Sequence, residues 1–593
     1  MRAFCGWLDA SGEAAHTAVD MLAAERPGAP IETRGAPGWA LALAGGPGDA
    51  TLLEAEGACS VQIGRPGAAC AAGGEHVAAL QQRADGAYAL ARVDPSQRRV
   101  HLQVDRFSTY PIYYALAGDG IVFGSSPRVV AAHPRVDPAI SEQSLFEYFH
   151  ATNVPAPATI FRSVRALEPG TCLDFVRGQT SVRAHWEPEF DEAGPSRIGT
   201  GAQAQVLDLM RAAVAGSARG TSRPGAFLSG GIDSSTVVGC LRDTGREPPR
   251  TFSIGFAVDD YDELGYARTV AQHFGAEYQQ YYVTAADVVA LLPRLARAFG
   301  QPFGNASVVP AFHCARLAAE HGVTCMLAGD GGDELFGGNE RYGRDWLFSR
   351  YAGLPAPARR ALEAWAGAAA PPLGGLPVLR KALSYVRHAR VPLPARLDVF
   401  NYLNVLGAAR LFADGFLDAV DPHAPAAARR ALFDGARAHS DINRMLAMEF
   451  KTTLADNDLQ KVVVMCREAG VDVRFPFLAD EVVDFSLHLP PHDKVSRTRL
   501  RCFFRAAVTG YLPDAVISKQ KRGFGLPFGI WASQPGELRE CVFDLLGSAR
   551  RRGIVAAALI DDLTGGLLDR EPRYYGPLVW LIIVLESWLS ENT

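Results

Sequence analysis

The rhythm of apolar and polar positions changes near residue 200. Before it, short apolar runs alternate with polar residues and are cut by Gly, Pro and Asp turns. Residues 87–93, 100–104, 112–115 and 120–124 each read as a strand with one buried face. The pattern predicts a β-rich N-terminal domain over residues 1–190. A polar, turn-rich stretch at 188–200 marks a boundary, and a second domain is expected over 200–593. It opens with a helical pattern from Ala202 to Ala218. From Pro224 the order is strand, Gly-rich turn, helix, strand, helix, an α/β signature. Residues 340–460 carry Ala, Leu and Arg at helical spacing and predict helical additions, broken by prolines at 371–372 and 392–394. The proline-containing segments 355–359 and 424–427 are expected to be loops.

Composition narrows the class. A chain of 593 residues exceeds one hydrophobic core, and 48% apolar with 21% charged residues is an ordinary globular balance. The net charge of -5 leaves no cationic footprint, so no nucleic-acid partner is expected. The ten cysteines are scattered, with no CxxC pair, which disfavours zinc, iron–sulfur and disulfide frameworks and favours buried thiols in a reducing cytoplasm. No apolar stretch has the length of a membrane span. Residues 577–585 read as a core helix, and no signal core precedes Asp9 and Glu13. The expectation is a cytoplasmic protein with no membrane partner.

Candidate chemistry begins where a short strand runs into Ser229-Gly230-Gly231 and a helix starts around Asp233-Ser234-Ser235. Glycines let the backbone approach an anion. Amides at the new helix N-terminus, with the serine hydroxyls, suit a pyrophosphate. No Lys follows the glycines, so this is not a Walker A loop. Asp233 would repel phosphate unless a cation intervenes, which points to Mg²⁺. A second strand, 323–328, delivers Gly329-Asp330-Gly331-Gly332-Asp333-Glu334. Ligands of open α/β sheets sit at the carboxyl ends of strands, so Asp233 and Asp333 are expected to share the metal and Asp330 to act on a reacting amine.

The two loops resemble those of asparagine synthetase and its relatives. Residues 251–256, 301–310, 472–478 and 518–527 resemble further motifs of that family, in the family's order. The resemblance implies an adenine-nucleotide α-hydrolase-like α/β synthetase domain with helical additions. It places Ser229, Gly230, Gly231, Asp233, Ser234 and Ser235 on the ATP phosphates and metal. It puts Phe227, Ile254 and Gly329 near the nucleotide, Asp333 on Mg²⁺ and Lys521 at the α-phosphate. Glu468 and Asp472 are candidate acids to assist Asp330. Residues 104–114, 123–126, 159–161 and 169–170 resemble the family's N-terminal half, an Ntn-hydrolase (glutaminase)-like β-sandwich with flanking helices.

That half departs from the family pattern. A glutaminase nucleophile is an N-terminal cysteine whose own amine is the base, but Cys5-Gly6 stands behind four residues. Arg34-Gly35-Ala36-Pro37 lacks the acid of the family's RGPD motif, and no NGEIYN-like string occurs. In the synthetase half, Gln301, Asp330 and Ala479 replace family acids. The domain therefore reads as a retained scaffold, and the nucleophile as an amine borne by the substrate. In its degenerate glutaminase half, intact synthetase loop and length near 600 residues the chain resembles the family's lasso-peptide macrolactam synthetases, and that resemblance implies the leading reading, such a synthetase with ATP and Mg²⁺ as cofactors. Its partners would be a precursor peptide and, on the family's pattern, a leader peptidase. Aromatic residues of 340–460, namely Tyr342, Trp346, Tyr351, Tyr385, Phe400 and Tyr402, are candidates for a peptide cleft. The alternatives are a glutamine-hydrolysing asparagine synthetase or other amidotransferase, a β-lactam synthetase-like ligase, and a non-catalytic binding protein on the same fold.

Overall fold

The computed structural model describes residues 3–9, 16–25, 28–45, 50–55, 57–64, 86–245, 247–258, 260–373, 385–519 and 525–593. The N-terminal half holds two antiparallel sheets. One has the order β10 (Arg165–Ala166), β8 (Tyr113–Ala117), β9 (Gly120–Gly124), β1 (Ala3–Leu8), β3 (Trp39–Ala44) and β2 (Ile31–Ala36). The other has the order β12 (Gln179–Ala184), β11 (Thr171–Val176), β7 (Arg99–Val104), β6 (Tyr88–Asp94), β5 (Ala58–Gly64) and β4 (Ala50–Ala55).

Side-chain alternation explains the layering. From β1, Phe4 and Leu8 join Leu41, Val61, Ala91, Leu102 and Phe123 in a core between the two sheets. The intervening Ala3, Cys5 and Trp7 pack on the other face with Ala18, Met21 and Leu22 of helix His16–Glu25. This is the expected sandwich with a flanking helix.

The C-terminal half is built on a parallel sheet of order β15 (Glu277–Val283), β14 (Arg250–Phe256), β13 (Pro224–Phe227), β16 (Cys325–Leu327) and β17 (Asp472–Arg474). The chain winds outward from β13 in one direction, then restarts on its other side with β16. The strand order thus reverses between β13 and β16, where an open α/β sheet opens a crevice for ligands. Both glycine loops of the sequence follow these two strands.

Helix Ala202–Ala218 forms as its apolar spacing predicts, with Val206, Met210 and Val214 buried. Two expected loops are helices instead: Ala356–Leu373 and Ala424–Asp434. Pro357 and Pro425 lie in the first turn of each, where a helix has no amide bond for proline to break. The first helix also carries Pro371 and Pro372 in its last turn. The prolines at 392–394 do end a helix, and a 3₁₀ turn, Ala395–Asp398, follows. Helix Pro572–Asn592 is buried through most of its length. Among the described residues no helix is long and apolar enough to cross a membrane. The described cysteines form no disulfide, and most are buried.

The two halves are bonded together. Asp480 accepts a hydrogen bond from the Gly86 amide (2.9 Å) and pairs with Arg106 (2.9 Å). A widened helical segment, Phe450–Leu459, forms another junction. The Asp456 carboxylate there accepts from the Ala156 amide (3.2 Å), and its carbonyl accepts from Asn153 (3.1 Å). Asn457 donates to the Thr152 hydroxyl (3.1 Å) and Gln460 to the Ser108 carbonyl (3.0 Å).

Candidate active site

β13 ends at Phe227, and the chain turns through Leu228 and Ser229 into helix Ile232–Asp243. Gly230 has φ +69, and a Cβ there would stand 2.6 Å from the Ala267 amide nitrogen, so the turn demands glycine. The loop is pre-shaped by its own hydroxyls. Ser234 Oγ accepts from the Ser229 amide (3.2 Å) and lies 3.1 Å from Ser229 Oγ, which accepts from the Gly231 amide (3.3 Å).

A cleft of about 2020 Å³ opens over this loop. Phe227, Ser229, Gly231, Asp233, Ser234, Ile254, Gly329, Asp330 and Asp333 all line it. Gly230 shapes the turn from behind. Ser235 does not reach the cleft: it is fully buried, and its hydroxyl has no hydrogen-bond partner. A residue one step further into the helix points back into the interior.

The two carboxylates expected to hold a metal do converge. Arg501 bridges them, donating Nη1 and Nη2 to the two oxygens of Asp233 (2.6 and 2.8 Å) and Nη2 also to Asp333 Oδ1. A Cβ on Gly332 would collide with the Asp233 carboxylate, so this corner admits only glycine. Two acids held around one positive charge form a donor set that suits Mg²⁺. Among the described residues no group of three or more His, Cys, Asp or Glu side chains could hold a metal ion. Mg²⁺ commonly takes one or two carboxylates and completes its shell with phosphate oxygens and water.

Asp330 faces the same cleft 3.9 Å from Lys461 Nζ, which also donates to Asp458 (2.8 Å). Burial pushes the Asp330 carboxyl up to about 6; Lys461 pulls it down, and Asp458 and Asp233 push it up. Burial alone would lower the Lys461 ammonium, but Asp458 and Asp330 outweigh it and raise it. The result is a carboxylate poised to accept a proton near neutral pH.

Two expected helper acids lie elsewhere. Glu468, at the C-terminal end of helix Gln460–Glu468, pairs with Arg294 (3.4 Å) and does not line the cleft. Asp472 opens β17 beside Cys325, at the amino end of the sheet, whereas the cleft is at the carboxyl end. Lys521 lies outside the described residues. The nearby Lys519 lines the cleft, pairs with Glu263 (2.9 Å) and sits over the Tyr266 ring.

Of the proposed cleft aromatics, Phe400 alone lines the cleft among the described residues. Tyr342 is fully buried, with its hydroxyl donating to Glu449. Tyr351 bonds Glu363, Tyr385 the Leu347 carbonyl and Tyr402 the Tyr574 carbonyl. Trp346 lies under Arg350. Core packing and local bonding account for these five.

The thiol in the other half is shut in. Cys5 is fully buried, and its Sγ donates to the Ala18 carbonyl (3.4 Å). Burial and the nearby Glu25 push the thiol far above its ordinary range. The preceding Ala3 and Phe4 are buried strand residues paired with Ala44 and Leu43.

Sequence comparison agrees with this geometry. The asparagine synthase family matches residues 205–590, and a glutamine amidotransferase domain matches 68–186. A putative glutamine-hydrolysing asparagine synthetase of Mycobacterium bovis is 28% identical over 84% of this chain and 76% of its own length. The glutamine-hydrolysing asparagine synthetase 1 of Bacillus subtilis is 24% identical over 82% and 74%. A solved allosteric regulatory enzyme of purine biosynthesis aligns at 12% identity over 55% of this chain and 74% of that one, but its TM-score of 0.23 carries no weight here. The chain belongs to the asparagine synthase family and is an ATP-dependent, AMP-forming carbon–nitrogen ligase that uses Mg²⁺.

Proposed function

We propose that this ligase is a lasso-peptide macrolactam synthetase. It adenylates an Asp or Glu side chain of a leader-trimmed precursor peptide, and the peptide's own N-terminal amine then closes the ring. The observation that carries the reading is the enclosure of Cys5. Exposing it as an N-terminal nucleophile would remove Ala3 and Phe4, both woven into β1 and its core. With the Cys5 thiol enclosed and unable to release ammonia from glutamine, the amine would arrive with the substrate, and an intramolecular amine gains from proximity.

The cleft supports a large substrate. At about 2020 Å³ it exceeds the roughly 300–1,000 Å³ typical of small-molecule sites. Its lining includes Ile198, Leu347 and Phe400, which are 39%, 43% and 64% exposed and offer apolar contact to a peptide. Within it, the Ser229–Ser234 loop would hold the pyrophosphate end of ATP. Asp233 and Asp333 would hold Mg²⁺, whose charge would offset that of the departing pyrophosphate. The peptide carboxylate displaces pyrophosphate at the α-phosphorus. The amine then attacks the acyl carbon, AMP leaves, and Asp330 takes the ammonium proton. A leader peptidase partner and a cytoplasmic location belong to the same proposal.

One fact favours a second reading: the curated relatives are named as glutamine-hydrolysing asparagine synthetases. A single experiment separates the two. Full-length protein is given ATP and Mg²⁺ with either a peptide bearing a free N-terminal amine and an internal acid, or aspartate plus glutamine. AMP formation with loss of one water from the peptide supports the macrolactam reading. Asparagine and glutamate as products would overturn it.

A further inference from the structure

Arg501 bonds both metal-side carboxylates of the cleft, Asp233 and Asp333. It comes from outside the parallel sheet. A short hairpin, Val495–Ser496 with Arg499–Leu500, carries the chain to it, and helix Cys502–Ala507 follows. Its backbone is left-handed, with φ 53 and ψ 39, a conformation unfavourable for a non-glycine residue. Such strain persists only where surrounding structure enforces it. Here the Arg501 amide donates to the Gly337 carbonyl (3.3 Å), and its carbonyl accepts from the Arg505 amide (2.8 Å). The side chain is 8% exposed and reaches both Asp233 and Asp333.

Both oxygens of Asp233 are engaged by the guanidinium fork. A divalent ion seated on the same pair must therefore displace it. Among the described residues no third side chain joins the pair in a metal-holding group, so the protein alone offers little to offset the lost Arg–Asp bonds and the ion's dehydration. A triphosphate changes the balance twice. Its oxygens complete the metal's shell, and they give the displaced guanidinium a bidentate anionic partner in place of Asp233.

We propose that Arg501 is the resident counter-cation of the Asp233–Asp333 pair and a positioning residue for metal entry. It holds the two carboxylates together in the free protein and yields them only to a metal that arrives with nucleotide. Metal and nucleotide binding are then linked, each tightening the other by the same factor. The inference rests on the ATP and Mg²⁺ chemistry of the family and not on the peptide reading, so no peptide enters its test.

Mn²⁺ binding is followed by electron paramagnetic resonance, with and without the non-cleavable α,β-methylene analogue of ATP. Wild type is expected to bind Mn²⁺ weakly alone and at least about tenfold more tightly with the analogue, a typical coupling. Arg501→Gln is expected to raise affinity for Mn²⁺ alone about tenfold and to shrink the gain from the analogue. Adding Asp333→Asn should abolish that rise. Tight binding of Mn²⁺ alone by the wild-type protein would overturn the proposal, and it needs no variant. So would a folded Arg501→Gln whose Mn²⁺ affinity and analogue-induced gain match wild type. If that variant does not fold, Arg501→Lys replaces it: its point charge lacks the fork, so it should also bind Mn²⁺ alone more tightly than wild type, and failure to do so counts against the proposal. A free-Mn²⁺ signal that the protein does not diminish even with the analogue bound would overturn the metal role of the aspartate pair, and this inference with it, while leaving the peptide assay to be judged separately.

Discussion

The two halves of this chain treat their reactive groups in opposite ways. Cys5, the first half of a Cys-Gly pair that stands four residues in from a glutaminase nucleophile's position, is fully buried, bonded to the Ala18 carbonyl and flanked by core residues. Asp330 stands on the loop after β16, Asp233 and Asp333 stand in the first turns of the helices that follow β13 and β16, and all three line one open cleft. Both folds persist, but access to solvent and substrate persists in one. The contrast teaches that a fold does not by itself supply a working site: what a domain can do depends on whether its reactive groups are presented to solvent and substrate.

That contrast can be attacked from either side. The largest expected effect is Asp333→Asn, which removes one of the two metal-side carboxylates and should lower AMP formation about 10³-fold. A variant that still forms AMP at the normal rate would break the claim that the cleft is the live site. Asp330→Asn should cost about 10²-fold in amide formation. The wild-type rate should rise as pH climbs through about 6, where Asp330 loses its proton and becomes able to accept one from the amine. This acid limb should vanish in the variant; an unchanged limb would assign the base elsewhere.

Lys461→Met sharpens the picture. Lys461 holds the Asp330 carboxyl down against burial, so its loss should move the acid limb to higher pH by roughly one unit. A shift in the other direction would contradict the pairing. The smallest effect belongs to the other half. Cys5→Ser should leave AMP formation unchanged and cost about 1 kcal/mol of stability, read from a thermal melt. Loss of ligation on that change alone would reopen the glutaminase.

Much of this was legible in the sequence, for reasons that differ by residue. The phosphate loop was readable because a tight turn between strand and helix demands glycine at 230, and Gly-Gly followed by Asp and Ser is uncommon for other purposes. The strands near 87–93 and 100–104 were readable from alternation, and β6 and β7 form there. Glu468 and Asp472 misled because nearness along the chain does not say which end of a strand a residue occupies. The short Asp472–Arg474 strand puts its acid at the wrong end. Arg501 could not be read at all: it meets Asp233 from 268 positions away, and no local pattern marks such a pairing. Lys461 left a faint mark, an acid three residues earlier on a helical stretch, but its approach to Asp330 depends on packing between separate segments. The helices at 356 and 424 were missed because a proline in a first turn looks like a proline that breaks one.

The widened segment Phe450–Leu459 couples the N-terminal half to the cleft. Its residues Thr453 and Asp458 belong to the cleft wall, while Asp456 and Asn457 are fastened to residues 152–156 of the N-terminal half. Gln460, fastened to Ser108, immediately precedes Lys461. The sandwich is therefore a keystone for the acid–base corner: cutting it away would strip the anchor from the wall that carries Lys461. Whatever its own chemistry, the N-terminal half bears on the cleft mechanically, as the abutment against which its wall is built.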